Sequence, residues 1–205
     1  MPLNRYFAVY KPYRVLSQFS LPADEAHTQK QTLKDFFRVP TDVYPVGRLD
    51  YDSEGLLLLT NDKELNYRLL HPRFAHKREY WVQVDGAITD AAVAQLSREM
   101  TIQVHGKQHR TKETFVQRWN AEPPVPPRFP PVRFRQHIPT SWIKMVLTEG
   151  KHHQVRKMTA KAGYPTLRLL RYRIENISLD SMLPGESREY SRDEIYRLLF
   201  SHSKS

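Results

Sequence analysis

The chain reads Val46-Gly47-Arg48-Leu49-Asp50 and, two residues later, Ser53-Glu54-Gly55-Leu56-Leu57-Leu58-Leu59-Thr60-Asn61-Asp62. Four leucines in a row predict a strand that is buried on both faces, as a central strand is. Asp50 then lies at the edge of the core. Because burying an ionised carboxylate is unfavourable unless a cation offsets it, we expect an arginine near Asp50 if that residue works in its ionised form.

Apolar runs and cap residues predict the other strands and helices. Strands are predicted near residues 6–10, 55–60, 79–85, 101–105, 113–119, 141–148 and 166–178. Helices are predicted after Thr32, after Thr89, and after a cap of Ser191 with Glu194. Another helix is predicted to begin at a capping box of Asn61 and Glu64 and to end at Pro72. A further helix is predicted from Lys151 to Ala162, and Gly163 would end it. Strands and helices do not alternate strictly, which favours an α+β fold with a largely antiparallel or mixed sheet.

The charge balance indicates a polyanionic partner. Lysine and arginine number 32 against 22 acidic residues, which gives a formal net charge of +10 over 205 residues. The positive residues concentrate in 68–78, 105–118 and 151–173, as on a surface that binds phosphates. Solubilising charge is the alternative. With 40% hydrophobic residues the chain can bury the core of one domain or of two tightly packed subdomains.

Several classes of protein are excluded by features that the sequence lacks. It contains no cysteine, so disulfides and cysteine-based zinc sites are ruled out. The amino terminus has neither the apolar region nor the cleavage site of a signal peptide, and no segment approaches the roughly 20 apolar residues of a membrane helix. We therefore expect a cytoplasmic protein.

Residues 122–139 contain seven prolines, which cannot sit in central strands. The segment is therefore predicted to be an insertion or linker. Three arginines and two phenylalanines interleave with the prolines, at Arg128, Arg133, Arg135, Phe129 and Phe134. An arm that touches RNA and a polyproline spacer between strands are the two alternatives.

The segment from Gly47 to Asp62 resembles the catalytic motif of the pseudouridine synthases that modify small- and large-subunit ribosomal RNA. Further segments resemble other motifs of that family, in the same order. Lys11–Ser17 is similar to the first motif, Lys77–Val84 to the tyrosine strand, Glu149–Met158 to the arginine motif, and 167–174 with 183–189 to the closing segment. The resemblance covers nearly the whole chain, although many members begin with a domain of the ribosomal S4 type that we do not expect here.

The resemblance implies the fold and the reaction. The fold would be a mixed, mostly antiparallel sheet in two fused α+β subdomains with a central active-site cleft, formed by residues 1–205 as one catalytic domain. The reaction would isomerise uridine of large-subunit ribosomal RNA to pseudouridine without a cofactor or a metal. A monomer that needs no protein partner would suffice. The rival hypothesis is a non-catalytic protein that binds RNA or assists ribosome assembly through the same basic surface.

The resemblance also assigns catalytic roles. Asp50 would be the essential carboxylate, which either attacks the base or sugar or removes a ribose proton. Arg156 would pair with Asp50 through two hydrogen bonds. Tyr80 would stack on the uracil and move a proton, whereas strand alternation by itself places Tyr80 in the core with Val82 and Val84.

The remaining candidates would bind RNA. The target nucleotide has to leave its stack, and Arg48 would fill the vacated space or hold the adjacent phosphate; an ordinary surface arginine is the alternative. Leu169 or Leu170 would form an apolar wall to the uracil, or plain core. Phosphate contacts are expected from the arginine motif and its helix, at Lys151, His152 and Lys157; solvated polar surface is the alternative. A metal site at His152 and His153 is rejected, because adjacent histidines diverge on a helix. A metal site at Asp50, Asp52 and Glu54 is rejected, because a turn separates Asp50 from the other two residues.

Overall fold

A computed structural model describes residues 3–133 and 136–201 of the chain. The chain divides into two compact units. The first unit consists of Met1–His76 and Arg171–Ser205, and the second unit of Lys77–Leu170. Both units combine helices with strands that pair mostly in the antiparallel sense.

The first unit begins with the strands that carry the opening motif. In chain order its first elements are β1 (Tyr6–Lys11), β2 (Val15–Leu16), β3 (Gln31–Thr32), β4 (Tyr44–Pro45), β5 (Glu54–Thr60) and α1 (Lys63–Leu70). β1 and β5 pair antiparallel, with Tyr6 opposite Thr60. Each leucine from Leu56 to Leu59 is at most 1% exposed, which confirms the predicted buried strand.

The second unit contains three adjacent antiparallel strands, a hairpin and two helices. Its elements are β6 (Arg78–Asp85), α2 (Asp90–Ser97), β7 (Thr101–Val104), β8 (Lys107–Arg110), β9 (Phe115–Arg118), β10 (Thr140–Leu147), α3 (Gln154–Lys161) and the start of β11 (Thr166–Ile174). β10 lies between β6 and β9 and is antiparallel to both. β7 and β8 form the hairpin. Apolar side chains of β6, α2, β10 and α3 form one core cluster.

The chain returns to the first unit within β11, between Leu170 and Arg171. The last elements are β12 (Ile177–Ser178), β13 (Ser187–Tyr190) and α4 (Arg192–Phe200). β13 pairs antiparallel with β1, so that β1 lies between β13 and β5. β2 and β3 are parallel. The pairing is therefore mixed and mostly antiparallel, which confirms the predicted α+β class.

Five strands were not predicted, and each lacks an apolar run. β2, β3 and β4 are two residues long, and β8 and β13 are largely polar. β8 exists because it pairs with β7, and β13 because it pairs with β1. Their backbone hydrogen bonds come from a partner strand, and apolar periodicity carries no signal of that pairing.

The predicted helix caps are correct at two helices and wrong at one. Thr89 accepts a hydrogen bond from the Ala92 amide and caps α2, and Ser191 accepts one from Glu194 and caps α4. α1 is capped by Asp62, not by Asn61. The Asn61 side chain instead accepts from the Arg5 amide and donates to Asp42, so it joins the amino-terminal segment to the rest of the unit.

The proline-rich segment has no helix or strand in its described residues, 122–133 and 136–139. Arg128 donates from its guanidinium to the carbonyl oxygens of Pro130 and Leu167, and the second contact holds it against the start of β11. Phe129 is 90% exposed. Phe134 and Arg135 lie outside the described residues. No helix within 3–133 or 136–201 combines the length and the apolar character needed to cross a membrane.

Candidate active site

Asp50 lies in a short turn that leads into β5. Its carbonyl oxygen accepts a hydrogen bond from the Ser53 amide at 3.1 Å, which confirms a turn between Asp50 and the strand. Gly47 begins the approach with φ of +71°, and a Cβ there would meet a Leu70 methyl at 3.0 Å. Glycine is therefore favoured here by the backbone conformation.

The Asp50 turn is held by the segment that resembles the first family motif. The Ser17 hydroxyl accepts from the Leu49 amide at 3.0 Å and donates to the Leu49 carbonyl oxygen at 2.8 Å. The Arg14 amide donates to the Tyr51 carbonyl oxygen at 2.9 Å. Both neighbours of Asp50 in the chain are thus fixed by backbone contacts, and this limits how far the carboxylate can move.

A buried lysine lies near this turn. Lys11 has no exposed surface, and its Nζ donates to the carbonyl oxygens of Pro12 and Val15 at 3.0 and 2.7 Å. Burial lowers the pKa of Lys11 to about 7, although the carboxylates of Glu54, Asp50 and Asp52 act to raise it. Asp50 therefore belongs to a group of interacting charges within the first unit.

Two further charged residues of the first unit complete that group. Glu54 is 3% exposed and accepts a hydrogen bond from the Tyr10 hydroxyl at 3.4 Å. Arg171 is 5% exposed, donates from Nε to the Leu56 carbonyl oxygen at 2.8 Å, and acts to lower the pKa of Lys11. Lys11 and Arg171 lie in segments that resemble motifs of the family, but the sequence assigns neither a role, because a lysine or an arginine at a strand position gives no local sign of burial.

Arg48 is exposed in the same approach segment, two residues before Asp50. Its surface position fits both alternatives, contact with RNA and an ordinary solvated arginine. Arg48 and Asp50 are the two candidates that the first unit contributes.

Tyr80 lies on β6 in the second unit, where it is opposite Met145 of β10. Its side chain is half-buried and packs against the core cluster that contains Val82 and Val84. The predicted alternation along this strand is confirmed. Because Tyr80 keeps some exposure while both valines have none, it lies at the margin of the core.

α3 carries Arg156 and Lys157, both half-buried, on a helix whose Val155 and Met158 face the core. The helix begins at Gln154, three residues later than predicted. His153 precedes it with φ of +55°, in the left-handed region that cannot continue an α-helix. Gly163 ends it with φ of +88°, as predicted.

The later helix start corrects the prediction for the two histidines. His152 and His153 precede the helix, and their rings stack with centroids 3.9 Å apart and planes 19° apart instead of diverging. Lys151 and His152 are exposed, and the Lys151 amide donates to the Gln154 side chain at 2.9 Å. Leu170 is 1% exposed and Leu169 belongs to the core cluster, so both have at least a core role.

The candidate residues thus fall into two sets. The first unit holds Arg48 and Asp50, and the second unit holds the others, namely Tyr80, Lys151, His152, Arg156, Lys157 and Leu170. The pairing of Asp50 with Arg156 and the wall formed by Leu170 stay predictions.

Known proteins share most of this chain. Residues 5–161 match the sequence model of a family described as RNA pseudouridylate synthase. Ribosomal large subunit pseudouridine synthase E of Xanthomonas campestris pv. campestris is 46% identical over 178 residues, which are 87% of this chain and 91% of that protein. The protein of the same name from Vibrio vulnificus is 42% identical over 88% of this chain and 73% of its own length.

A solved structure supports the same fold. A crystal structure described as a pseudouridylate synthase covers 97% of this chain and 75% of its own, with a TM-score of 0.74 and 23% sequence identity. At that identity the likeness shows the fold alone, and it confirms the predicted α+β architecture.

Proposed function

The chain belongs to the RNA pseudouridylate synthase family, and we propose that it isomerises one or a few uridines of large-subunit ribosomal RNA to pseudouridine. The observation that carries this proposal is the 46% identity to a large-subunit synthase over 91% of that protein's length. Similarity on this scale includes the opening motif, the tyrosine strand and the arginine motif, which lie in both units of the fold.

The reaction is an isomerisation with a closed balance of atoms. The bond from ribose C1′ to N1 of uracil breaks, the base rotates, and a new bond forms from C1′ to C5. The proton on C5 is lost to water, and N1 gains one. No electron is transferred to an acceptor, and no energy donor is consumed, so the residues of the chain and the RNA supply everything that the reaction needs.

We assign the essential carboxylate to Asp50. Two routes remain open for it, attack on the base or sugar and removal of a ribose proton, and both need an ionised side chain in a fixed place. The backbone contacts on both sides of Asp50 support a fixed place. Asp50 also interacts electrostatically with the buried Lys11 of the same unit.

We assign supporting roles to Tyr80 and Arg156. The half-buried ring of Tyr80 offers a face for the uracil and a hydroxyl for proton transfer. A planar guanidinium such as that of Arg156 can hold a carboxylate by two parallel hydrogen bonds. Leu170 would line the uracil, and Arg48 would take the space that the flipped nucleotide leaves.

The phosphates of the RNA would be bound by Lys151, His152 and Lys157. Each lies within the basic stretch 151–173, and Lys151 and His152 are exposed. With ribosomal RNA as its substrate, the protein would act in the cytoplasm, and one copy of the chain contains all the residues named. We therefore propose a monomer that needs no protein partner.

The proposal is tested with ribosomal RNA that carries tritium at uracil C5, because every turnover releases that label to water. We expect release by the wild-type protein and loss of turnover in Asp50→Asn, with RNA binding retained. Asp52→Asn is the matched control, since it makes the same change two residues away and should keep most of the activity. Absence of release by the wild type from both free RNA and immature subunits would support the non-catalytic rival, and an active Asp50→Asn would remove Asp50 from the chemistry.

A further inference from the structure

Three histidines of the second unit form a column of stacked rings. The rings of His105 and His152 have centroids 4.8 Å apart and planes 25° apart, and those of His152 and His153 are 3.9 Å and 19° apart. His105 comes from the turn of the β7–β8 hairpin, and the other two precede α3. The hairpin therefore contributes one end of the column, His105, which is exposed.

The hairpin turn holds His105 in one place. Its two central residues, His105 and Gly106, have φ of +48° and +75°. Positive φ at both positions is what a two-residue type I′ turn requires, and Asn-Gly or Gly-Gly is the preferred dipeptide. Histidine is less suited to this conformation than asparagine or glycine. The turn thus gains an aromatic ring at a position where a non-aromatic residue would fit the backbone better.

The hairpin and the start of α3 are tied together by Glu149. One carboxylate oxygen of Glu149 accepts from the Lys112 amide at 2.9 Å and from the Gln154 side chain at 2.7 Å, and the other contacts His109 Nε2 at 3.1 Å. Lys161 Nζ also donates to the Thr101 carbonyl oxygen at 2.6 Å. These contacts fix the elements that present the rings, so little ordering is needed when a ligand stacks on them.

Two exposed lysines are close neighbours of the column in the sequence. Lys107 lies two residues after His105 on the hairpin and Lys151 directly precedes His152, and both lysines are exposed. The negative charge of Glu149 is already used by the Lys112 amide, the Gln154 side chain and His109. An aromatic platform flanked by lysines is the chemistry that binds unpaired nucleotides, since the base stacks on the ring and the flanking phosphates contact the ammonium groups.

We propose that an unpaired base of the ribosomal RNA stacks on His105 and thereby extends the column of His105, His152 and His153, while Lys107 and Lys151 bind the phosphates on either side. This inference rests on the proposed function for the identity of the RNA. It adds a docking contact for RNA on the β7–β8 hairpin of the second unit.

The decisive variant is His105→Asn, which removes the ring but keeps the preferred residue of the turn. Binding of a fluorescently labelled, unpaired large-subunit RNA fragment is measured by anisotropy at a fixed pH. We expect the dissociation constant to rise about 5-fold or more, the loss associated with one base–aromatic stack. His27→Asn, at an exposed histidine of the first unit, is the matched control and should bind as the wild type does.

The salt dependence separates stacking from charge. The slope of log K against log salt should be unchanged in His105→Asn, whereas Lys107→Ala should reduce it by about 0.7. His105→Gly also suits the turn and should reproduce the loss of affinity if the ring is responsible. Binding within twofold of the wild type in both His105 variants would overturn the proposal and leave the column as internal packing.

Failure of this contact and failure of the proposed function give different results. If His105→Asn binds as tightly as the wild type while the wild type releases tritium, the docking contact is wrong and the enzyme assignment stands. If the wild type binds RNA through His105 but releases no tritium, the docking contact stands and the enzyme assignment is wrong.

Discussion

Lys11 is a residue whose environment differs sharply from what its local sequence suggests. A lysine that directly follows an apolar strand is expected at a solvent-exposed strand end, yet Lys11 has no exposed surface. Antiparallel pairing of β1 with β5 places it opposite Gly55, close to the turn that bears Asp50. Burial of its ammonium group lowers its pKa to about 7, against the opposing effect of three carboxylates.

Lys11 should make the stability of the protein depend on pH. The folded-state pKa of about 7 is below the ordinary value of 10.5, so the unfolded chain binds more protons between these two values and the stability rises with pH in that window. Between pH 7 and 9.5 the free energy of unfolding of the wild type should gain up to about 3 kcal/mol relative to Lys11→Met. Urea titrations at several pH values measure this difference. Lys34→Met, at an exposed lysine, is the control, and a flat difference for Lys11→Met would contradict the prediction.

Among the other individual residues, Asp50 was identified by its motif and Tyr80 by resemblance. Nothing in the local pattern distinguishes an aspartate that performs chemistry from one that ends a strand. The structure adds the hydrogen bonds that hold the two residues next to Asp50: Ser17 bonds to Leu49, and Arg14 bonds to Tyr51. Those contacts join residues more than 30 positions apart, and a linear pattern contains no record of them.

At the scale of elements, one aspartate joins two helices of the first unit. Asp62 caps α1 by accepting from the Glu64 and Leu65 amides, and it also accepts from the hydroxyls of Tyr6 and of Tyr196 on α4. Burial acts to raise the pKa of Asp62, but these hydrogen bonds outweigh it and the pKa is lowered. The side chain therefore stays ionised and connects β1, α1 and α4 through hydrogen bonds.

Asp62→Ala should destabilise the protein more than the loss of a cap alone. The change removes a cap worth about 1 kcal/mol and leaves the hydroxyls of Tyr6 and Tyr196 without this acceptor, so the free energy of unfolding should fall by about 3 kcal/mol. Thr89→Ala removes a single cap contact at α2 and is expected to cost about 1 kcal/mol. Denaturant unfolding compares the two variants. Equal losses would mean that the tyrosine contacts add nothing.

Strands and helices were predictable where a single element carries its own signal. The leucines of β5 predicted burial on both faces, and Thr89 and Ser191 predicted the starts of α2 and α4. β8 was missed because its residues are polar and its existence depends on β7. The start of α3 was placed too early because no residue preference announces the left-handed backbone of His153.

At the scale of the whole molecule, the net charge of +10 should make the affinity for RNA depend on the salt concentration. Each phosphate contact by a lysine or arginine releases counterions, so the affinity should fall steeply as salt increases. Lys157→Ala should weaken binding and reduce the slope of log K against log salt by about 0.7. Lys34→Ala, outside the basic stretches, is the control. An unchanged slope in Lys157→Ala would remove this lysine from the RNA-binding surface.

The amino-acid sequence alone predicts the α+β class, the buried strand β5, the position of Asp50 beside it, the basic character of the chain and the family to which it belongs. These features depend on residue type and on short spacings, which a linear pattern records directly. Tertiary structure alone decided that Lys11, Glu54 and Arg171 are buried close to one another, that Asp62 serves several elements, and that three histidines stack. Burial and ring contacts arise when residues far apart in the chain pack together.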